Sequence, residues 1–326
     1  MAIKKVLSLS VLFVLVIITV LLAVQIFGDK KSRESEEYVS ASDFGADGED
    51  LEDDAKAIQK AIDHSHSSKI GKVRLTGNHH YVIKSGLHLK EGVELELGQN
   101  TKIYVEGNFR AIVLEKNASI TNGIIEVTNA EFNSEVIYLN GREKFWSAER
   151  TRVHNVAIIN SSGSNKGKAI NLYAKGPNHF ISFVNFSEIN IAGFEYGIYL
   201  KSEKPPGEEY SFINGNRFTN ITLDNCLTGI AIDSSISVPN ESTGNQFTGI
   251  QIQLTEKTEK AIYVSGSDNY FEAMIWDPHE IDQTVSLIEF SPESMRSYLR
   301  TNLESDYIED NGESNNLTYY SAIEKN

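Results

Sequence analysis

The chain has 326 residues, 40% hydrophobic and 23% charged, enough for one sizeable core and too apolar for wholesale disorder. Its single cysteine, Cys226, excludes an internal disulfide and a cysteine-based zinc cage. Setting aside residues 1–28, which hold Lys4, Lys5 and no acid, leaves 28 basic and 45 acidic side chains, or −17; with no basic run and no phosphate-binding loop, this argues against nucleic acid as a partner.

In chain order, the first predicted element is apolar. Lys4 and Lys5 precede 22 uncharged residues, Val6 to Phe27. At roughly 1.5 Å per residue they can span a bilayer core of about 30 Å. Signal-peptide cores run to roughly 7–15 residues before a small-x-small site, and "AVQIFGDKK" has no clean Ala-x-Ala. Residues 1–28 are therefore expected to form a transmembrane anchor, or a signal helix if cleaved. Residues 29–37 read as a charged linker and the rest as an exported body, on the membrane's outer side or secreted.

"DLEDDAKAIQKAIDHS" follows. Ala55, Ile58, Ala61 and Ile62 share one helical face, and Glu52, Asp53 and Asp54 stand near the positive end of the helix dipole. A short N-terminal capping helix is expected. The paired histidines His64/His66 and His79/His80 read as solvated loop residues, so no metal site is expected.

Residues 38–290 carry a repeat. "GNRFTNITL" from Gly215, "GNQFTGIQI" from Gly244 and "DNYFEAMIW" from Asp268 share a pattern, and weaker copies recur at Phe186, Val153 and Ile120. A second series keeps step: Ile137-Tyr-Leu, Ile170-Asn-Leu, Ile198-Tyr-Leu, Ile230-Ala-Ile and Ile262-Tyr-Val. Apolar-x-apolar units mean short strands with alternate side chains inward. A unit of 24 to 33 residues cannot bury its apolar side alone, whereas stacked copies with parallel strands can. The chain is expected to be all-β, a parallel β-helix. Asn216, Asn245 and Asn269 should form one column, Phe218, Phe247 and Phe271 another, and Met274 and Trp276 should face inward. Ser291 and Pro292 in "SPESMRSYL" suit a helix start, so residues 291–326 are expected to be a C-terminal helical cap and acidic tail.

Val39–Asp63, with Asp43-Phe-Gly-Ala, Asp53-Asp54 and Ala57-Ile-Gln-x-Ala-Ile, followed by Lys72–Leu97, resembles the opening of pectate-lyase-3 type domains of the pectin-lyase-like superfamily. "TGNHHY" stands where that motif has Pro-x-Gly before the Tyr, and Ala55 replaces its Thr. The resemblance implies a right-handed, three-sided parallel β-helix acting on polysaccharide. The catalytic motifs of polygalacturonase-like relatives (Asn-Thr-Asp, Asp-Asp, Gly-His-Gly, Arg-x-Lys) are absent. The expectation is a glycoside hydrolase or polysaccharide lyase; the alternative is a non-catalytic glycan-binding or envelope scaffold. The partners would be a polysaccharide or cell-envelope glycan, and the membrane through the N-terminal helix. No cofactor is expected, with Ca²⁺ the one ion that would bridge a polyanionic substrate to so acidic a body.

Candidate site residues follow from strand alternation. Tyr138, Tyr199 and Tyr263 fall between inward pairs of the second series, and Tyr173 and Lys201 one step on; outward tyrosines suit sugar rings. Asp224 and Asp277 should share the position after the last inward residue, two rungs and roughly 10 Å apart, near the acid–base spacing of inverting glycosidases. Asp233, across "NCLTG", would tune Asp224. A lyase would use Lys201 or Arg217 as base.

Overall fold

The computed structural model describes residues 37–234, 241–281 and 286–320. The apolar segment 1–28, expected to be an anchor or signal, lies outside them, as does all of the linker except Glu37. Among the described residues no helix is long and apolar enough to cross a membrane. From Tyr38 onward the described residues form one compact unit.

That unit is a parallel β-helix. The first coils hold three strands each: Lys72–Leu75, His80–Ile83 and Leu87–Leu89; then Glu94–Leu97, Lys102–Val105 and Ile112–Leu114; then Ser119–Thr121, Ile124–Val127 and Glu135–Asn140. Each pairs in parallel with its counterpart one coil on, as in Val73↔Leu95, Ile103↔Ile125 and Ile112↔Ile137. From Arg152 onward the first two strands merge into one bent strand per coil: Arg152–Asn160, Asn185–Ala192, Arg217–Asp224 and Gln246–Gln253, then the straighter Tyr270–Trp276. These merged strands belong to the first sheet. The second sheet runs through Lys168–Lys175, Tyr196–Glu203, Thr228–Asp233, Lys260–Ser267 and Ile288–Met295. Its inward ladder Ile137, Ile170, Ile198, Ile230 and Ile262 is continuous in register and fully buried.

The interior is filled by like residues stacked on like. Phe186, Phe218, Phe247 and Phe271 have ring centroids 4.7, 4.5 and 4.9 Å apart and nearly parallel planes. Full burial of each ring contributes roughly 2–3 kcal/mol, before any stacking term. Asn216 Nδ2 donates to Asn245 Oδ1 at 3.0 Å, and Asn245 Nδ2 to Asn269 Oδ1 at 3.1 Å, with all three residues fully buried. Each amide also serves a neighbouring backbone, so no polar atom of this ladder is stranded where stranding would be expensive.

Helix Ala55–Ser68 covers the first coil with Ala55, Ile58, Ala61 and Ile62 buried, as its pattern predicts. The acidic residues before it do more than complement the dipole. Asp54 accepts from Asp47 N and Val82 N, Asp53 from Lys84 N and Ala55 N. Gln59 both donates to His88 O and accepts from His88 N. The recognisable opening motif is thus a clamp between cap and coil. Burial is the main reason the Asp54 carboxyl sits above its ordinary range.

Two expectations are corrected. Residues 291–304 form no helix: strands Ile288–Met295 and Tyr298–Glu304 continue the two sheets. Ser291 Oγ accepts from Glu293 N at 3.2 Å, closing a local turn within an irregular stretch where Gly266 pairs with Ser294. The cap signal is real but closes a bulge, because Phe290, Leu299 and Leu303 are wanted in the core. Met274 and Trp276 do not face inward either. In the preceding coils the bent strand carries a left-handed residue (Asn155, Glu188, Asn220, Gly249) that inserts one extra position between inward side chains. Strand Tyr270–Trp276 lacks it, so Phe271, Ala273 and Ile275 alternate simply and Met274 and Trp276 point out, 40% and 46% exposed.

Candidate functional site

On the outer face of the second sheet, Tyr196, Tyr199, Thr228, Ala231, Asp233, Lys260 and Tyr263 line an open depression of about 340 Å³. Strand register assembles it. Lys168, Tyr196, Thr228 and Lys260 stack in one column, Asn171, Tyr199, Ala231 and Tyr263 in a second, and Tyr173, Lys201 and Asp233 in a third. Asp233 is the hub: Tyr199 Oη donates to its Oδ2 at 2.8 Å, and Lys201 Nζ donates to the same oxygen at 2.7 Å. The rings of Tyr196 and Tyr199 lie 4.7 Å apart, with Lys168 Nζ 5.8 and 5.6 Å from their centroids. Lys260 pairs with Glu289 at 2.7 Å.

The electrostatics follow from this packing. Burial first, and the Asp233 hydrogen bond second, hold the Tyr199 phenol far above the ordinary tyrosine range. In the structure its hydroxyl acts as a donor to Asp233. Burial also raises Tyr196 and Tyr263. Lys168, Lys201 and Lys260 place three ammonium groups on the first, second and fourth of four stacked coils of a strongly acidic body.

The structure brings Tyr199, Lys201, Asp233 and Tyr263 together, with Tyr173 beside them. Tyr173 flanks them in the Lys201 column, its hydroxyl 3.5 Å from Glu203. Tyr138 keeps its column but is 3% exposed: the Arg110 guanidinium lies 4.0 Å over its ring and Asn140 donates to its hydroxyl. Asn171 and Ala231, expected outward, are likewise covered. Arg217 is exposed on the first sheet, between Asn185 and Gln246.

The expected acid pair is not one column. Asp224 registers with Gln253, and Gln253 with Trp276, because the missing bend shifts the last strand by one residue. Asp277 falls outside the ladder in a left-handed conformation and accepts from Gln253 Nε2 at 2.7 Å. Asp224 ends one strand and Asp233 ends the next, beyond the corner Asn225–Leu227. The six residues Thr228–Asp233 span five steps of about 3.3 Å, which puts roughly 16 Å between those corners. Sequence reasoning missed Tyr196, Thr228, Lys168 and Lys260. Their signal was present, two positions before each Ile in Lys168-Ala-Ile, Tyr196-Gly-Ile, Thr228-Gly-Ile and Lys260-Ala-Ile.

Among the described residues no group of three or more His, Cys, Asp or Glu side chains is placed to hold a metal ion.

The sequence profile described as "Rhamnogalacturonase A/epimerase, pectate lyase-like" matches residues 38–252, and the chain belongs to that family. A capsule KN3-specific depolymerase of Klebsiella phage KN3-1 is 27% identical over 228 residues, 61% of this chain and 27% of the phage protein. The chain thus spans about a quarter of that relative's length. Among solved structures, the Streptococcus pneumoniae surface adhesin PfbA aligns over 87% of this chain and 90% of its own, at 13% identity and a TM-score of 0.48. The phiAB6 tailspike, solved with oligosaccharides of Acinetobacter baumannii surface polysaccharide, aligns over 78% of this chain and 49% of its own, at 15% identity and a TM-score of 0.47.

Proposed function

We propose that the chain is an extracellular polysaccharide-recognising β-helix protein, with the second-sheet face around Asp233 as its glycan-binding surface. The observation that carries this reading is the convergence of Tyr199 and Lys201 on Asp233 Oδ2 within a depression walled by Tyr196 and Tyr263. Sugar rings offer apolar faces and hydroxyl edges. Tyrosine rings meet the first, and a carboxylate held in place by two donors meets the second without reorganisation. The family and the capsule-specific phage relative point to the same ligand class.

Recognition is favoured over hydrolysis. One carboxylate lines the depression, whereas glycoside hydrolysis ordinarily needs two, about 5 to 9.5 Å apart. Lys201, the expected base for elimination, is paired with Asp233 at 2.7 Å, and Tyr199 donates to the same oxygen, so both are engaged as donors. The apolar segment Val6–Phe27 is read as the export signal or membrane anchor of this surface protein, with the β-helix outside.

The test is incubation with a panel of capsular, pectic and neutral polysaccharides. Retained polymer, new reducing ends and absorbance of unsaturated products are each read. Retention without cleavage is expected. Cleavage abolished by Asp224→Asn or Asp277→Asn would restore the hydrolase reading.

A further inference from the structure

The outward turn of Trp276 has a chemical consequence on the first sheet, away from the Asp233 depression. The indole is 46% exposed, yet it is not loose: its Nε1 donates to Gln251 Oε1 at 2.7 Å. Gln251 itself lines a second depression, of about 360 Å³, with Gly249, Glu272, Met274, Arg300 and Asn302. The indole is thus tied by its polar edge to a residue that lines the depression, while nearly half of the side chain stays exposed.

The depression has a structural origin. Strand Tyr298–Glu304 pairs with Tyr270–Trp276 as far as Ala273↔Thr301. Beyond that point the Asn302 side chain replaces the ladder, accepting from Ile275 N at 2.8 Å and donating to Ile275 O at 2.9 Å. The neighbouring strand is held off by a side chain's reach, and the surface dips. Met274, 40% exposed, extends the apolar surface into the dip.

The missing bend makes this arrangement. With the left-handed residue of the earlier coils, Met274 and Trp276 would be inward; without it the core receives Ala273 and Ile275. Two of the larger apolar side chains of this coil thus stand partly in water, beside the amides of Gln251 and Gln253.

We propose that this depression is a second glycan subsite, one that takes an uncharged pyranose unit stacked on Trp276. The aromatic face supplies the platform, and the amides of Gln251 and Gln253 supply hydrogen bonds at its edges. The charges around it specify the neutral class. Arg300, the cation lining the depression, faces Glu272 at 3.9 Å. Asp277, engaged by Gln253, adds negative charge at the rim. A uronate or sialate carboxylate would meet two acids and one cation already facing an acid. The proposal rests on the glycan-recognition reading, but it involves different residues on a different sheet.

The chain has two tryptophans, Trp146 and Trp276, which makes the test direct. Full-length Trp146→Phe protein, in detergent, carries Trp276 as its sole indole. It is titrated with a neutral β-linked hexohexaose (cellohexaose) and with a hexamer of galacturonate. The expected result is a saturable emission change with the neutral hexamer alone. The change should weaken at least tenfold in apparent affinity when Gln251→Ala is added, and persist when Tyr199→Phe is added instead. Persistence with Tyr199→Phe separates this subsite from the Asp233 face, whose failure would leave the signal untouched. No emission change at millimolar cellohexaose, or a response to the galacturonate hexamer only, overturns the proposal. A far-ultraviolet circular dichroism spectrum equal to that of the unmutated chain confirms that each variant is folded.

Discussion

Asn216 and Asn245 share a hydrogen bond, Nδ2 to Oδ1 at 3.0 Å, with neither side chain reachable by solvent. The bond is one rung of a ladder that also satisfies the backbone of Val184 and Ile213. Asn245→Ala removes two donated and two accepted bonds at once. Each buried group left unpaired costs about 1–3 kcal/mol, partly relieved by relaxation. A loss of roughly 2–4 kcal/mol is expected from urea unfolding, against about 1 for an average substitution. A change below about 0.5 kcal/mol would mean that the ladder is ornamental.

Cys226 tests the corner between the two sheets. It is 4% exposed, and burial pushes its thiol up to about 12. The thiolate is the reactive species, so native protein at pH 8 is expected to resist Ellman's reagent and to react with one equivalent only after unfolding. Rapid labelling of the native chain would show that the turn from Asp224 to Thr228 opens.

How much of this was legible in the sequence depends on what wrote the signal. The Asn and Phe columns and the Ile ladder were readable because stacking forces the same residue type into the same place on each coil. The Asp53-Asp54 and Gln59 clamp was readable as a motif, though its contacts with Val82, Lys84 and His88 were not. Reading failed where one backbone residue changed the count. Without a left-handed residue in Tyr270–Trp276, Trp276 and not Asp277 registers with Gln253, and Asp277 leaves the column of Asp224. Ser291-Pro292 misled because a hydroxyl that caps a helix closes a bulge equally well. The Asp233 cluster was half legible: alternation gave Tyr199 and Lys201, but covering groups such as Arg110 over Tyr138 are invisible to periodicity.

Tyr199 gives a pH signature. Its folded-state pKa is raised above the unfolded value of about 10. The neutral phenol is thus favoured by folding, so its contribution is complete below about pH 10 and declines as pH rises beyond it. Stability measured by denaturant titration should be flat from pH 7 to about 9.5 and then fall. Tyr199→Phe should make the alkaline fall shallower without removing it, since Tyr138, Tyr196 and Tyr263 are raised in the same direction. An identical alkaline slope in the variant would contradict the burial of the Tyr199–Asp233 bond.

Asp233 is where the functional account is most exposed to test. Asp233→Asn keeps the shape of the side chain and removes the charge on which Tyr199 and Lys201 converge. The decisive measurement is calorimetric titration of the folded protein and of this variant with fragments of whichever polysaccharide the panel shows to be retained. The account predicts at least tenfold weaker binding for Asp233→Asn, with the unfolding midpoint nearly unchanged. Equal affinity in the two proteins would contradict it, and would place the glycan on some other face of the β-helix.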